Sequence, residues 1–311
     1  MSRPLKHQWP EALRAAIEIV EAVGLSDHPW RFTGGSALAT LYEHRFSRDA
    51  DLFFDPAIDI VSAESSVKDQ FGYSTKATAG YSLKVFLPQG SHVDLVNVRP
   101  LTTLPSFPFE FEGRMIEREH PVEILAKKIR FRGEEATPRD IFDFATVIAL
   151  ADHQWEAAAI ASGYGGMAKL SEAMADGPDD FIRVAPTEVA SAHHFDPRTV
   201  WDVVADGVER IMPAVLWADA IRQFANRPAN WRREWAERAV LRATQRDSYA
   251  SRISEALRYL ETLGEFSLGD GHGAASDAIL EFAPELHADF RDAVMELGSE
   301  PGSTPESGPP G

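Results

Sequence analysis

Two stretches decide the fold: Thr33-Gly34-Gly35-Ser36, and His44-Arg45-Phe46-Ser47-Arg48-Asp49-Ala50-Asp51-Leu52-Phe53. Trp30 to Phe32 is short, aromatic and extended, whereas Ala37 to Tyr42 favours helix. The glycines therefore form a turn between a strand and a helix start. Glycine lets a backbone approach a polyphosphate, and the helix N-terminus supplies unpaired N–H groups. Ser36 is expected to donate its hydroxyl to a phosphate oxygen, with ordinary N-capping as the bland alternative. Asp49 and Asp51 open a strand predicted over 49–55 and, being two residues apart, share one face with Phe53. Leu52 and Phe54 pack the other face.

Working outward, His92-Val93-Asp94-Leu95-Val96-Asn97-Val98 places one carboxylate inside an otherwise apolar β pattern. Burying Asp94 there is costly unless a cation compensates. If its strand neighbours that of Asp49 and Asp51, three carboxylates converge. Their mutual repulsion raises their pKa values, and a divalent ion relieves it. All-oxygen ligation points to Mg²⁺ or Mn²⁺ held by Asp49, Asp51 and Asp94. Such ions would bridge the phosphates of an NTP, activate an attacking hydroxyl and stabilise departing pyrophosphate.

The remaining pattern predicts helices over Trp9 to Val23, Pro56 to Gln70, Pro121 to Arg132 and Thr137 to Asp152. Strands are expected at Tyr73 to Ala77, Ser82 to Leu87, His92 to Val98 and Phe109 to Glu112. Beyond Asp152 only helical periodicity remains, and Gly163-Tyr164-Gly165-Gly166 reads as an interhelical loop. Three regions are expected: residues 1–152, a helical part over 153–297, and a disordered Gly/Ser/Pro/Glu tail over 298–311.

Gly34-Gly35-Ser36-Ala37-Leu38-Ala39 with His44 to Phe53 resembles the AbiEii/AbiGii family of nucleotidyltransferase toxins, whose pattern runs GG[ST]ALA then HRxSxDxDLF. Ala126-Lys127-Lys128-Ile129 and Arg139-Asp140-Ile141-Phe142-Asp143 match that family's later segments, so the resemblance spans residues 30 to 150. Ala50 departs from the family's Ile, Leu or Val. The resemblance implies a mixed α/β (α+β) domain of the polymerase-β-like type, followed by an α-helical domain. It implies a lysine on the triphosphate, either Lys127 or Lys128, with Lys127 preferred. It also implies an active-site aspartate, Asp140 or Asp143, as general base or as the group that orients the lysine. Ser47 sits at the site's edge on this reading, with capping or turn stabilisation as the alternative; His44 and Arg45 would approach phosphate or pack the helix end, with Arg45 the preferred phosphate contact. Arg139 fits better as an ion-pair partner.

Biologically, the resemblance implies a type IV toxin–antitoxin or phage-defence toxin paired with an AbiEi-like antitoxin. Some such toxins add nucleotides to the 3′ end of tRNA. Nine arginines and four acidic residues fall between Arg222 and Arg258, and Arg238, Arg242 and Arg246 make one helical stripe suited to RNA. The chain's net charge of −17 otherwise argues against general nucleic-acid adhesion. That charge suits a rival reading, an antibiotic nucleotidyltransferase with a cationic acceptor such as an aminoglycoside. A second rival is a nucleotide-binding partner without turnover. The absence of cysteine, of a long apolar run and of a secretory signal leads to the expectation of a cytoplasmic protein without a membrane span. His193-His194 has no metal-ligand spacing and is expected at the surface or as a cap.

Overall fold

The computed structural model describes residues 7–78, 80–191 and 194–225, together with Ala256 and Tyr259. The elements run α1 (Trp9–Ala22), β1 (Trp30–Thr33), α2 (Gly34–Tyr42), β2 (Ala50–Phe54), α3 (Glu64–Phe71), β3 (Ser74–Thr78) and β4 (Ser82–Phe86). They continue β5 (His92–Asn97), β6 (Phe107–Phe111), β7 (Arg114–Arg118), α4 (Pro121–Arg132), α5 (Pro138–Ala175), α6 (Asp179–Glu188) and α7 (Pro197–Ala225). Two compact units divide the chain, Met1–Glu209 and Arg210–Gly311, and the sheet lies wholly in the first. Among the described residues no helix is long and apolar enough to cross a membrane.

Seven strands form one mixed sheet in the order β3-β4-β5-β2-β1-β7-β6. Its centre is the parallel pair β2/β5, in register from Ala50↔Val93 through Asp51↔Asp94 to Phe54↔Asn97. Period-two alternation then sorts the side chains. Ala50, Leu52, Val93 and Leu95 are completely buried on one face. Each large apolar side chain there contributes roughly 1.5–3 kcal/mol. Helix α1 packs on β2 and β5 with a buried stripe that includes Leu13, Ala16, Ile17 and Val20. Asp51, Phe53, Asp94 and Val96 alternate with the buried set and are partly exposed.

Helices α4 and α5 pack against each other beside this sheet. Helix α4 opens with Pro121, and the His120 side chain accepts the Val122 N–H. Thr137 and Asp140 form a reciprocal capping box at the start of α5. Helix α5 runs far past Asp152, with non-helical backbone at Ala151 and Gly163. Gly163-Tyr164-Gly165-Gly166 is thus a kink inside a helix rather than a connecting loop. It has a packing role: a Cβ on Gly166 would lie 3.0 Å from Arg130 Cα, and one on Gly133 would lie 2.9 Å from the Gly166 carbonyl oxygen.

Two other expectations change. The helix predicted over Pro56 to Gln70 begins only after a turn, because Asp55 accepts the Ala57 N–H and Asp59 accepts the Ser62 N–H. The strand predicted to end at Glu112 is half of a hairpin. Phe111 pairs with Arg114 across Glu112 and Gly113, both with positive φ (51° and 78°), as a two-residue primed turn requires. The strand Arg114–Arg118 was masked in the sequence by its charged residues. Arg238, Arg242, Arg246, His193 and the 298–311 tail lie outside the described residues.

Candidate active site

The β1–α2 turn and the β2/β5 wall meet because Thr33 pairs with Asp51 across β1/β2. Gly34 has φ 73°, and a Cβ there would sit 1.9 Å from Asp51 Oδ2. Only glycine fits this approach. Thr33, Gly34, Gly35, Asp51 and Asp94 line one cavity of about 760 Å³, with Lys127 and Lys128 on its α4 side. The face of α4 that meets it is Ile124, Lys127, Lys128, Phe131 and Arg132, at helical spacing. Tyr81, Phe53 and Arg99 complete the part of the lining with rings and charge. A cavity of this size accommodates a nucleotide-sized ligand.

The three predicted carboxylates differ in what surrounds them. Asp51 has no hydrogen-bond or ion-pair partner among the described residues. Burial, then the charges of Asp94 and Asp49, push its pKa up to about 6. Asp94 Oδ2 lies 2.9 Å from Lys84 Nζ and 3.2 Å from His92 Nε2. Asp49 accepts from the His92 backbone N–H at 3.1 Å and lies 2.9 Å from His92 Nδ1, with Arg139 at 4.0 Å. Burial works upward on Asp49, but His92 outweighs it and holds the carboxyl below its usual range. The hydrogen bonds that His92 donates to Asp49 and Asp94 raise it to about 9. His92 is therefore a cation between two carboxylates. Among the described residues no three such side chains close into a ready coordination shell. Yet the unpartnered Asp51 carboxylate, beside Asp94 on the cavity wall, suits a hard divalent ion in charge and donor type.

Beneath the glycine turn lies a second set of charges, almost fully enclosed. Asp143 is 0% exposed and accepts from Arg45 Nε at 2.6 Å and Nη2 at 3.0 Å. His44 Nε2 lies 2.6 Å from it and Lys128 Nζ 2.9 Å. Burial would raise Asp143, but Arg45 and Lys128 outweigh it and hold the carboxyl well below its usual range. Such a group is a poor proton acceptor, so the expected base role does not suit its surroundings. Asp140 is committed to Lys128 at 2.6 Å, to Arg132 and to the capping box.

The expected phosphate contacts of Arg45 and Ser36 also change. Arg45 is 4% exposed and acts as the counter-ion of Asp143, packed so that a Cβ on Gly35 would meet Nη2 at 2.0 Å. Ser36 is 2% exposed and donates to the Asp49 carbonyl oxygen, with Ser47 Oγ 2.6 Å away. The two serines tie helix α2 to the start of β2 instead of facing the cavity. Ser36 is not the N-cap of α2 either; Thr33 holds that position.

The two lysines separate. Lys127 Nζ lies 2.6 Å from Glu119, 2.9 Å from Glu123 and 4.6 Å from the Phe53 ring centroid, so its donors are all engaged. Lys128 Nζ meets Asp140 and Asp143, which leaves one of its three N–H donors without a partner among the described residues. Sequence reasoning missed Lys84, Glu119, Glu123, Tyr81 and Phe131. Of these, Lys84 was within reach: Ser82-Leu83-Lys84-Val85-Phe86 alternates, and pairing with β5 sets Lys84 opposite Asp94.

Among solved structures, a Helicobacter pylori protein described as a candidate nucleotidyltransferase is 17% identical, with TM-score 0.40, covering 66% of this chain and 96% of that one. JHP933 from Helicobacter pylori is 16% identical, with TM-score 0.41 and coverages of 68% and 94%. An antigenic nucleotidyltransferase-like protein from Paracoccidioides brasiliensis is 16% identical, with TM-score 0.33 and coverages of 62% and 93%. No curated protein matches. The family model described as nucleotidyl transferase AbiEii toxin, type IV TA system, matches residues 19–239, and the chain belongs to that family.

Proposed function

We propose that the protein transfers a nucleoside monophosphate from an NTP to an acceptor hydroxyl, with a divalent metal ion, as the toxin of a type IV toxin–antitoxin system. The observation that carries this reading is Asp51 beside Asp94 on the wall that also holds Gly34 and Gly35. Backbone N–H groups of the glycine turn and the remaining Lys128 donor bind the triphosphate. Asp51 and Asp94 would hold Mg²⁺ or Mn²⁺, with Asp49 as a further oxygen donor, and the ion would supply charge neutralisation at the phosphates. Asp94 receives the proton of the acceptor hydroxyl. The acceptor oxygen bonds to the α-phosphorus, the bond from that phosphorus to the bridging oxygen breaks, and pyrophosphate leaves.

Lys128 is preferred over Lys127 because it alone keeps a donor for phosphate. A polyanionic acceptor such as a tRNA 3′ end is preferred over an aminoglycoside on kinship with the family and on the Arg238, Arg242 and Arg246 stripe of the sequence. On this reading residues 1–152 perform the nucleotide chemistry, and Arg238, Arg242 and Arg246 are the candidate RNA contacts of the helical part over 153–297. The antitoxin partner would be AbiEi-like and the setting cytoplasmic phage defence.

Incubation with each α-labelled NTP and either total tRNA or a panel of aminoglycosides tests the proposal. Label is expected on tRNA. Label on the aminoglycoside would replace the acceptor assignment, and label on neither, in Mg²⁺ or Mn²⁺, would remove the transfer reading altogether.

A further inference from the structure

Thr33 is in extended conformation at the N-cap of α2, the position where a threonine ordinarily accepts a backbone N–H from the helix's first turn. Here it makes no such bond. Its hydroxyl donates instead to Glu119 Oε2. Glu119 is 2% exposed, and its other oxygen takes the Lys127 ammonium at 2.6 Å. The Glu119 backbone N–H also bonds to the Phe32 carbonyl oxygen at 2.9 Å, which sets the carboxylate beside the end of β1. Glu123, the second carboxylate on Lys127, accepts the backbone N–H groups of Leu101 and Thr102. Glu119 is thus fixed by a buried ion pair on one side and by the strand on the other.

We infer that Glu119 is a positioning residue that draws the Thr33 hydroxyl away from helix α2 and so keeps the first-turn N–H groups of that helix open for a polyphosphate. A helix start has unpaired N–H groups that a capping side chain or an anion can satisfy, and the two compete for them. Most N-caps satisfy them internally. In this protein a buried carboxylate on a different element removes the competitor. The same grip holds Thr33 in place next to Gly34, whose backbone already abuts Asp51. The inference rests on the proposed binding of an NTP at this turn.

The test measures binding of magnesium tripolyphosphate to the full chain by calorimetry, alongside thermal unfolding. Glu119→Ala frees the Thr33 hydroxyl to cap α2 and is expected to weaken binding about fivefold, the scale of one N-cap hydrogen bond. Thr33→Val alone cannot cap, and its affinity is the reference for the pair. Added to Glu119→Ala, Thr33→Val should raise affinity from the Glu119→Ala value to near that of Thr33→Val alone, a rescue that a merely structural role for Glu119 does not give. Should Glu119→Ala fail to fold, the pair Glu119→Leu with Lys127→Met leaves no unpaired ammonium, and the same rescue is expected on that background. Tighter binding in Glu119→Ala, as simple removal of a negative charge predicts, would overturn the inference. So would a double variant no better than Glu119→Ala. If the wild type binds neither magnesium tripolyphosphate nor any NTP, the functional reading fails first; if it binds and the rescue is absent, only the role of Glu119 fails.

Discussion

Asp51 of β2 and Asp143 of α5 are the same chemical group in opposite circumstances. Asp51 faces a cavity with no partner among the described residues and is held up to about 6. Asp143, completely buried, is gripped by Arg45, His44 and Lys128 and held well below its usual range. An ion pair already satisfied in the protein has little left for a ligand. An unsatisfied carboxylate that costs folding free energy needs another reason to be there. The contrast is the reason for proposing chemistry at Asp51 and support at Asp143, although the sequence motif contains both.

Substitutions at the two positions should therefore fail in different ways. Asp51→Asn is expected to reduce nucleotide transfer by more than the roughly 10–100-fold typical of losing an outer-shell metal partner. Its melting temperature at pH 7 should hold or rise. The sign follows from linkage: an aspartate whose folded pKa lies above its unfolded value loses stability as pH rises between the two, from about 4 to about 6. A clear fall in melting temperature would mean that Asp51 is structural. Asp143→Ala should do the reverse and destabilise by about 3–5 kcal/mol, because Arg45 and Lys128 keep buried charges without their shared partner. Urea unfolding measures it, and a loss below about 1 kcal/mol would contradict a supporting role.

Acid should show the same contrast less sharply. Asp143 and Asp140 are depressed, so their contribution is fully present above the ordinary aspartate range and is lost as pH falls through their lower folded values. Stability should drop steeply only below about pH 4, with a shallower slope in Asp143→Asn. The smallest effect is expected from metal: Mn²⁺ at about a hundred times its Kd should stabilise the wild type by about 2.7 kcal/mol. Asp51→Asn should lose that shift. An equal shift in both proteins would place the ion away from the β2/β5 wall.

The wall was legible in the sequence because a strand repeats every two residues. Asp49, Asp51 and Phe53 on one side, Leu52 and Phe54 on the other, and a lone Asp94 in an apolar run were enough to expect the carboxylates to converge if the two strands were neighbours, and the β2/β5 pairing supplies that condition. The support beneath it was not legible. Glu119 meets Thr33 across 86 residues and Arg45 meets Asp143 across 98, and no periodicity encodes such distances. For the same reason Arg45 and Ser36 looked like phosphate ligands: they adjoin the glycine turn and the carboxylates in sequence, and only tertiary packing turns them inward. Hairpin β6/β7 was obscured differently, because Glu112 occupies a left-handed position more often filled by glycine or asparagine.

Helix α4 carries the cavity's lysines, and its distance from helix α5 depends on what is missing at two positions. Gly166 and Gly133 let bare backbones touch where any methyl group would intrude, at 3.0 and 2.9 Å. Two absent carbon atoms thus set the spacing of the helix pair that holds Lys128 against Asp140 and Asp143. An alanine at either place would push the helices apart and strain the buried ion pairs on which that lysine rests.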